Sequence, residues 1–360
     1  MIILAVESSC DETAVALVRD GRTVLADCIA SSVEMHRIYG GVVPEIASRK
    51  HIEVIAQLAD QALEQAGLSR GDIDAVAVTY APGLIGAVLV GVSFAKSVAY
   101  ALGVPLIPVH HVRGHIAANY LAHPDLEPPF VCLCVSGGTS LLVDVKGYTE
   151  MEILGATRDD AAGECFDKIA RVMGLGYPGG APLDRAAQGG NDKAFSLPRV
   201  HIQDAPLDMS FSGLKTAMLN LIHNAQQKGE ELPVADLAAS FSAAVSEELV
   251  PRTMAAAQAK GYGKVAVVGG VAANSRIRRD LEQACQAAGC TLYLPPLKLC
   301  GDNGSMIGSQ GYYEYLAGTR AGTDLNAYAN REISRPYGTG TDPVFPSPVE
   351  KSVESVHNSL

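Results

Sequence analysis

The stretch IILAVESSCDETAVALV, residues 2–18, reads as an apolar strand, a turn of small and acidic residues, and a returning apolar strand. This order is typical of a β-hairpin. It recurs at residues 130–145, where two apolar runs flank the turn Ser136-Gly137-Gly138-Thr139-Ser140. We interpret the recurrence as an internal duplication that gives two related lobes. Small residues let backbone N–H groups approach phosphate oxygens, so two facing turns predict a nucleotide clamped between the lobes, although an ordinary hairpin would look similar.

Helical and strand patterns alternate along the rest of the chain, which predicts an α/β architecture with helices on both sides of the sheets. Pro124, Pro128 and Pro129 mark the expected lobe boundary. We therefore predict a first lobe over 1–128, a second over 129–322 whose last helix packs back on the first, and a C-terminal segment over 323–360, disordered beyond about 336. Helices are predicted over 44–66, 84–102, 161–173, 213–226 and 234–260, and strands at 75–78 and 265–268.

His111 and His115 follow a short apolar strand and share one face of a helix that begins near Val112. This is metal-ligand spacing, although such pairs also arise by chance. A harder third ligand is needed, and Asp302 lies between two glycines at a strand-to-helix turn. Two histidines and one aspartate would leave coordination positions open, as catalytic sites do. His110 is a weaker candidate because its side chain would point away from the other two.

Gly114 lies inside this helical pattern, where glycine costs about 1 kcal/mol relative to alanine. We expect a close approach by a ligand or by backbone there. A second glycine-rich turn, from Gly269 to Asn274, follows an apolar strand. It suits a ribose or an adenine hydrogen-bonded by Asn274, and equally suits a plain tight turn.

The formal net charge of -11 is not typical of a protein that binds nucleic acid by itself. The absence of Trp and the low aromatic content do not favour a base-stacking platform of the kind found in single-strand-binding proteins. A nucleic-acid partner would have to meet a local basic patch or be brought by another subunit. Solvated helix faces are the commoner explanation of such basic runs. The candidates for a patch near the presumed cleft are Arg158, Lys168, Arg171, Arg185, Arg276, Arg278 and Arg279.

The chain has eight cysteines without a C-x-x-C pair, and Cys132 and Cys134 fall in an apolar strand pattern, where they suit buried positions. No secretory signal precedes the first strand, and no apolar run approaches membrane-spanning length. We therefore expect a cytoplasmic protein that does not associate with a membrane.

Five motifs together make the chain resemble one family, the TsaD-type tRNA N6-adenosine threonylcarbamoyltransferases, formerly described as O-sialoglycoprotein endopeptidases. The resemblance covers nearly the whole chain up to about Pro336. The longest motif runs from Lys96-Ser97 through Leu102-Gly103-Val104-Pro105-Leu106-Ile107 to His111-Val112-Arg113-Gly114-His115-Ile116. The others are Glu7-Ser8-Ser9-Cys10-Asp11-Glu12-Thr13, Val135-Ser136-Gly137-Gly138-Thr139, Ser210-Phe211-Ser212-Gly213-Leu214-Lys215-Thr216 and Gly269-Gly270-Val271-Ala272-Ala273-Asn274.

The resemblance implies the two-lobed actin-like ATPase fold of actins and sugar kinases, with duplicated ribonuclease-H-like domains and a central cleft. It implies one divalent metal ion, with Fe²⁺ favoured and Zn²⁺ an alternative, bound by His111, His115 and Asp302. The substrate-binding positions that it implies are Cys134 (through its backbone), Val135, Ser136, Gly137, Gly138, Asp167, Gly180, Asp184 and Asn274.

The implied reaction transfers a threonylcarbamoyl group from threonylcarbamoyl-AMP to the N6 amine of the adenosine beside the anticodon of tRNA, and it releases AMP. The family also implies two partner proteins, a catalytically silent paralogue and a small ATPase. The helix over Val54–Leu63 is a candidate face for such a partner, or a core face. Asp11 or Glu12 is our candidate to receive the amine proton, although acids in turns are commonly only solvated.

Three other functions remain open. A metallopeptidase of the H-E-x-x-H type needs a glutamate as general base, and Val112 stands at that position. A kinase or ATPase of the actin-like group would share both hairpins but needs no histidine pair. A non-catalytic binding subunit would tolerate replacement of both His111 and His115.

Overall fold

Two five-stranded mixed sheets of identical topology form the framework of the computed structural model, which describes residues 1–199, 202–335 and 337–338. In each sheet the first strand pairs antiparallel with the second and parallel with the fourth. The predicted duplication is therefore confirmed. The first sheet, in the order β3-β2-β1-β4-β5, comprises β1 (Ile2–Glu7), β2 (Glu12–Arg19), β3 (Thr23–Ser31), β4 (Ala75–Ala81) and β5 (Leu106–His110). The second, in the order β10-β9-β6-β7-β8, comprises β6 (Phe130–Val135), β7 (Ser140–Val145), β8 (Met151–Ala156), β9 (Lys264–Val268) and β10 (Thr291–Tyr293).

Each predicted helix is present with bounds within two residues of those expected, and the predicted strands at 75–78 and 265–268 lie inside β4 and β9. The helices of the described chain are α1 (Val33–His36), α2 (Pro44–Ala66), α3 (Ile85–Leu102), α4 (His111–Ala122), α5 (Ala162–Val172), α6 (Gly180–Ala186), α7 (Ser212–Lys228), α8 (Val234–Lys260), α9 (Ser275–Ala288) and α10 (Gly304–Leu316). The sequence analysis did not predict five elements, which are the strands β3, β8 and β10 and the short helices α1 and α6.

The helices α4 and α10 lie between the two sheets. α10 packs against β1, β2 and β5 and against α4, and α4 contacts β6 and β9 of the second sheet. Glycines permit this close packing, because a Cβ atom at Gly308 would lie 2.5 Å from Val18. A Cβ at Gly114 would lie 2.6 Å from the Ile307 side chain, so the close neighbour expected at Gly114 is chiefly a side chain of α10. The last helix, α10, thus packs on the first sheet, as expected. The lobe boundaries at residues 128 and 322 stay predictions.

The helix α3 corrects one expectation. By length and composition it could cross a membrane, whereas we expected no such run. In the structure α3 packs against α2 and β4, and its buried positions are small or β-branched residues such as Ala87, Val88 and Val92. The segment Val54–Leu63 of α2 also mostly faces inward, with Ile55, Leu58 and Leu63 in the core of the first lobe.

A buried arginine joins α4, α10 and the segment that follows α10. The Arg113 side chain is 2% exposed and donates to Glu314 Oε1 at 2.8 Å and to the carbonyl oxygen of Ile333 at 3.0 and 2.7 Å. Glu314 also accepts from Gln310 Nε2 and Thr319 Oγ1. Residues up to 335 thus return to the first lobe, whereas the disorder predicted beyond 336 falls largely outside the described residues.

We predict that Arg113→Met lowers the free energy of unfolding by about 3–5 kcal/mol, because Glu314 is then a buried charge without its partner. Urea denaturation followed by circular dichroism would measure the change. The matched control is Arg70→Met, which removes the exposed pair with Asp60 and should leave the midpoint within experimental error. An equally small effect at Arg113 would contradict the prediction.

Candidate metal centre and nucleotide cleft

The helix α4 begins directly after β5, and three histidines lie at its start: His110 precedes the helix, His111 begins it and His115 follows one turn later. His110 caps the helix, because its Nδ1 accepts from the Val112 N–H at 3.2 Å. Its Nε2 lies 3.1 Å from the carbonyl oxygen of Arg331. Both ring nitrogens of His110 are therefore used in hydrogen bonds that do not involve His111 or His115. The rings of His111 and His115 pack edge to face against each other, with their centroids 4.6 Å apart.

Asp302 reaches the same point from a distant part of the chain. It lies in the loop between the short turn Leu297–Leu299 and α10, and Asn303 fixes the loop by capping α10 through the Met306 N–H at 2.8 Å. Asp302 Oδ1 lies 3.6 Å from His111 Nε2 and 3.1 Å from His115 Nε2. One ligand atom from each residue lies within 4.8 Å of the other two, so the structure brings the three predicted ligands together.

The buried His115 ring supports a metal-binding interpretation of this cluster. Neither its Nδ1 nor its Nε2 is in a regular hydrogen bond among the described residues, and the nearest polar group to Nε2 is the carboxylate of Asp302 at 3.1 Å. A buried polar atom without a partner carries a desolvation cost that a bound cation would relieve. Two imidazole nitrogens and a carboxylate oxygen suit iron and zinc alike.

Glu7, at the end of β1, orients His111 and was missed as a site residue in the sequence. It is fully buried, and its Oε2 lies 3.0 Å from His111 Nδ1 and accepts from Thr79 Oγ1 at 2.5 Å. A carboxylate on one imidazole nitrogen directs the other toward a metal. Burial alone would lower the pKa of His111, but Glu7 and Asp302 raise it to about 9. The signal in the sequence was an acid that ends an otherwise apolar strand.

The first turn places Asp11 and Glu12 near the cluster. The Asp11 carbonyl accepts from the Ser32 N–H at 2.8 Å, and Glu12 Oε1 accepts from Ser31 Oγ at 2.9 Å. Burial, together with the charges of Asp11 and Asp302, raises the pKa of Glu12 to about 9. Burial and the neighbouring negative charges thus favour the protonated form of Glu12.

The second turn lies at the end of β6. Cys134 and Val135 are buried in the sheet, so neither side chain is open to a ligand. Gly137 and Gly138 are exposed, and a Cβ atom at either would meet nothing within 4 Å, which leaves room for a ligand against the backbone. The Ser136 N–H already donates to the Thr139 carbonyl at 2.8 Å. The open part of this turn is thus its glycine pair.

The remaining substrate-binding candidates lie on the second lobe. Asp167 Oδ1 accepts from the Gly179 N–H at 2.6 Å, directly before Gly180, where α6 begins. Asp184 Oδ1 accepts from Ser275 Oγ at 2.8 Å, next to Asn274. Asn274 Oδ1 caps α9, so only its amide nitrogen remains to donate to a ligand. A cavity of about 350 Å³ adjoins Asp184 and Ser275 and is also lined by Asp192, Ser242 and Arg276.

Several residues of the predicted basic patch are used within the fold. Arg276 pairs with Asp192 at 2.5 Å and Asp280 at 2.6 Å, and Arg278 donates to the Ala272 carbonyl at 2.9 Å. Lys168 pairs with Glu164 at 2.5 Å. Arg158 and Arg279 are exposed and pair with Asp208 and Asp280, respectively. These internal partners weaken the case for a patch that neutralises nucleic acid by charge alone.

Comparison with solved structures shows the fold. HypF from T. kodakarensis matches with a TM-score of 0.60 at 17% identity, over 90% of this chain and 49% of that chain. The component A of (R)-2-hydroxyglutaryl-CoA dehydratase from Acidaminococcus fermentans matches with a TM-score of 0.51 at 14% identity, over 88% of this chain and 99% of that chain. These neighbours confirm the predicted α/β, actin-like ATPase fold with two lobes.

Sequence comparison shows the family. The model of TsaD, tRNA N6-adenosine threonylcarbamoyltransferase, matches residues 23–309. A relative of that name from Clostridium botulinum (strain 657 / Type Ba4) is 52% identical over 92% of this chain and 97% of its own. Another from Moorella thermoacetica (strain ATCC 39073 / JCM 9320) is 55% identical over 90% and 95%. The chain therefore belongs to the TsaD family of tRNA N6-adenosine threonylcarbamoyltransferases.

Proposed function

We propose that this chain transfers a threonylcarbamoyl group from threonylcarbamoyl-AMP to the N6 amine of the adenosine beside the anticodon of tRNA, and releases AMP. Family membership supports the reaction class. The observation that carries the assignment of the site is the convergence of His111, His115 and Asp302 beside the cleft, with the buried His115 ring 3.1 Å from the Asp302 carboxylate.

The three residues would hold one divalent ion through His111 Nε2, His115 Nε2 and a carboxylate oxygen of Asp302. Such an ion, when bound, supplies a Lewis acid that withdraws charge from the carbonyl oxygen of the donor. We favour Fe²⁺, with Zn²⁺ as the alternative, because the donor set suits both. Glu7 fixes the ring orientation of His111 through its hydrogen bond to Nδ1, and Thr79 in turn holds Glu7.

The other residues would mainly bind and orient the two substrates, because a carbamoyl-adenylate is already an activated acyl donor. The exposed glycine pair Gly137 and Gly138 leaves room for phosphate oxygens against backbone N–H groups. Asp184 lines the polar cavity, and Asn274 directly precedes Ser275, another lining residue; both side chains suit the hydroxyl groups and base of the donor nucleoside. Asp167 and Gly180 would complete this side of the cleft.

The amine proton needs an acceptor, and the two acids of the first turn differ in suitability. Burial and the neighbouring charges of Asp11 and Asp302 raise the pKa of Glu12 to about 9, which favours its protonated form and makes it the weaker acceptor. We therefore propose Asp11 as the acceptor. The turn that carries Asp11 is connected to the metal cluster through Ser9, whose Oγ lies 3.2 Å from His111 Nδ1.

The alternatives lack a supporting observation among the described residues. Val112 lies on α4 where an H-E-x-x-H peptidase carries its catalytic glutamate, and it is buried. Glu7 is occupied by His111, Ser9 and Thr79, so it is not free to activate a water molecule. The HypF and dehydratase neighbours share the fold at low identity and therefore do not favour a kinase.

We propose that partner subunits dock on the outer face of the first lobe. There α2 and α3 expose Ile52, Ile85, Leu89 and Tyr100 at 64%, 53%, 44% and 80%, whereas the inner face of Val54–Leu63 belongs to the core. Co-purification of the chain with a paralogue and a small ATPase would test this expectation. A cytoplasmic location agrees with the eight cysteines, all of which are free thiols in the structure.

We predict that His115→Ala abolishes both metal retention and transfer. Metal per chain measured by inductively coupled plasma mass spectrometry should fall from about one to near zero, because one of only three protein ligands is lost. Threonylcarbamoyl-adenosine in digested tRNA should fall at least 100-fold. His223→Ala, at an exposed position on α7, is the control and should match wild type. Full metal content in the His115 variant would contradict the proposed ligand set.

We also predict that metal affinity rises with pH between 6.5 and 8. The pKa of His111 in the metal-free chain is raised from 6.5 to about 9, so each ion must displace one proton from His111 in this range. The apparent affinity should therefore fall about tenfold for each unit of decreasing pH. Competition with a chelator of known pH dependence would measure it. Glu7→Gln removes the main cause of the raised pKa and should flatten the slope; a flat slope in wild type would contradict the prediction.

A further inference from the structure

The segment Ser32–Val43, here called the cleft loop, connects β3 to α2 and is used by no step of the proposed function. Three of its apolar side chains are unusually open to solvent: Met35 is 48% exposed, Ile38 82% and Tyr39 58%. Single exposed apolar residues are common, but three within five positions on one loop usually mark a binding surface. Arg37, between them, is also exposed and pairs only weakly with Glu34 at the surface.

The cleft loop is held in place rather than loosely attached. His36 is fully buried, its Nε2 lies 3.0 Å from Ser32 Oγ, and its Nδ1 accepts from the Val43 N–H at 3.2 Å. The two ends of the loop are thus joined through one imidazole, and the residues between them face outward. A preorganised surface of this kind loses little conformational entropy when a ligand binds.

The contacts of the cleft loop place it at the mouth of the cleft. On one side, Ser32 donates both its N–H and its hydroxyl to the Asp11 carbonyl at 2.8 Å. Ser9, two residues earlier, has its Oγ 3.2 Å from His111 Nδ1, so this turn connects the loop to the metal cluster. On the other side, Arg171 Nη1 donates to the Gly40 carbonyl at 3.3 Å, one helical turn from Asp167 on α5. The loop therefore bridges the lobes beside the reacting groups.

We propose that Tyr39, supported by Ile38, stacks on a nucleobase adjacent to the reacting adenosine. This inference rests on the proposed function, because a tRNA substrate brings a single-stranded loop to the cleft. Unpaired bases of RNA are recognised largely by stacking on aromatic side chains. Stacking on a base needs little positive charge. It therefore suits this chain, which has a net charge of -11 and whose candidate basic residues mostly form ion pairs with acidic residues of the same chain.

The test compares Tyr39→Ala, Tyr39→Phe and Tyr39→Leu in the purified complex of the chain with its co-purifying subunits. We expect Tyr39→Ala to raise the KM for tRNA and the Kd of an anticodon stem-loop by about 5- to 150-fold, the range for loss of one base stack. The KM for threonylcarbamoyl-AMP should not change. Tyr39→Phe keeps the ring and should stay within about threefold of wild type, whereas Tyr39→Leu should resemble the alanine variant. Leu316→Ala, at an exposed apolar position that ends α10, is the control.

A stem-loop with an abasic site beside the reacting adenosine identifies the stacked base. If Tyr39 stacks on that base, Tyr39→Ala should not weaken binding of the abasic stem-loop any further, because the stacking partner is already absent. If Tyr39 and the base contribute independently, the two losses of binding free energy would instead add. An unchanged Kd for Tyr39→Ala, or equal binding by the leucine and phenylalanine variants, overturns the inference. Loss of a subunit from the complex instead would show that the loop binds protein. In all these outcomes wild-type transfer would persist, whereas a wild-type complex without transfer would refute the proposed function itself.

Discussion

The packing of α4 against α10 is the constraint on which the candidate metal centre depends. The two histidines belong to α4 and Asp302 lies two residues before α10, so a relative shift of these helices would separate the ligands. Gly114 and Gly308 allow the close approach, and the buried pair of Arg113 with Glu314 joins the same helices on the side away from the metal ligands. The signature around His111 thus combines ligands and packing residues in one helix.

The duplicated sheets explain why the functional residues meet at a cleft. In each lobe the turn after the first strand carries candidate site residues: Ser9 and Asp11 lie in the first turn, and Gly137 and Gly138 in the second. Ser9 of the first turn contacts His111, whereas the glycine pair of the second turn has open space around it. The two copies of one topology therefore differ in their turns, with acids in one and glycines in the other.

The sequence predicted the parts of this arrangement that follow from local periodicity. His111 and His115 share a helix face because of their spacing, and the hairpins follow from apolar runs around polar turns. Glu7 was missed because its approach to His111 depends on β1 and β5 both pairing with β4, which no local pattern reveals. The strand β3 was missed because its alternation is irregular and many of its side chains are exposed. Asp302 was recognised only through its glycine-flanked turn and the family resemblance.

The most direct test of the account is nucleoside mass spectrometry of total tRNA from cells depleted of this protein and rescued with wild type or with His111→Ala. The account predicts that threonylcarbamoyl-adenosine disappears on depletion, returns with wild type and does not return with the variant expressed at equal level. Normal amounts of the nucleoside after depletion, in cells without a second such enzyme, or full rescue by the variant, would contradict the claim that this metal centre carries out the transfer.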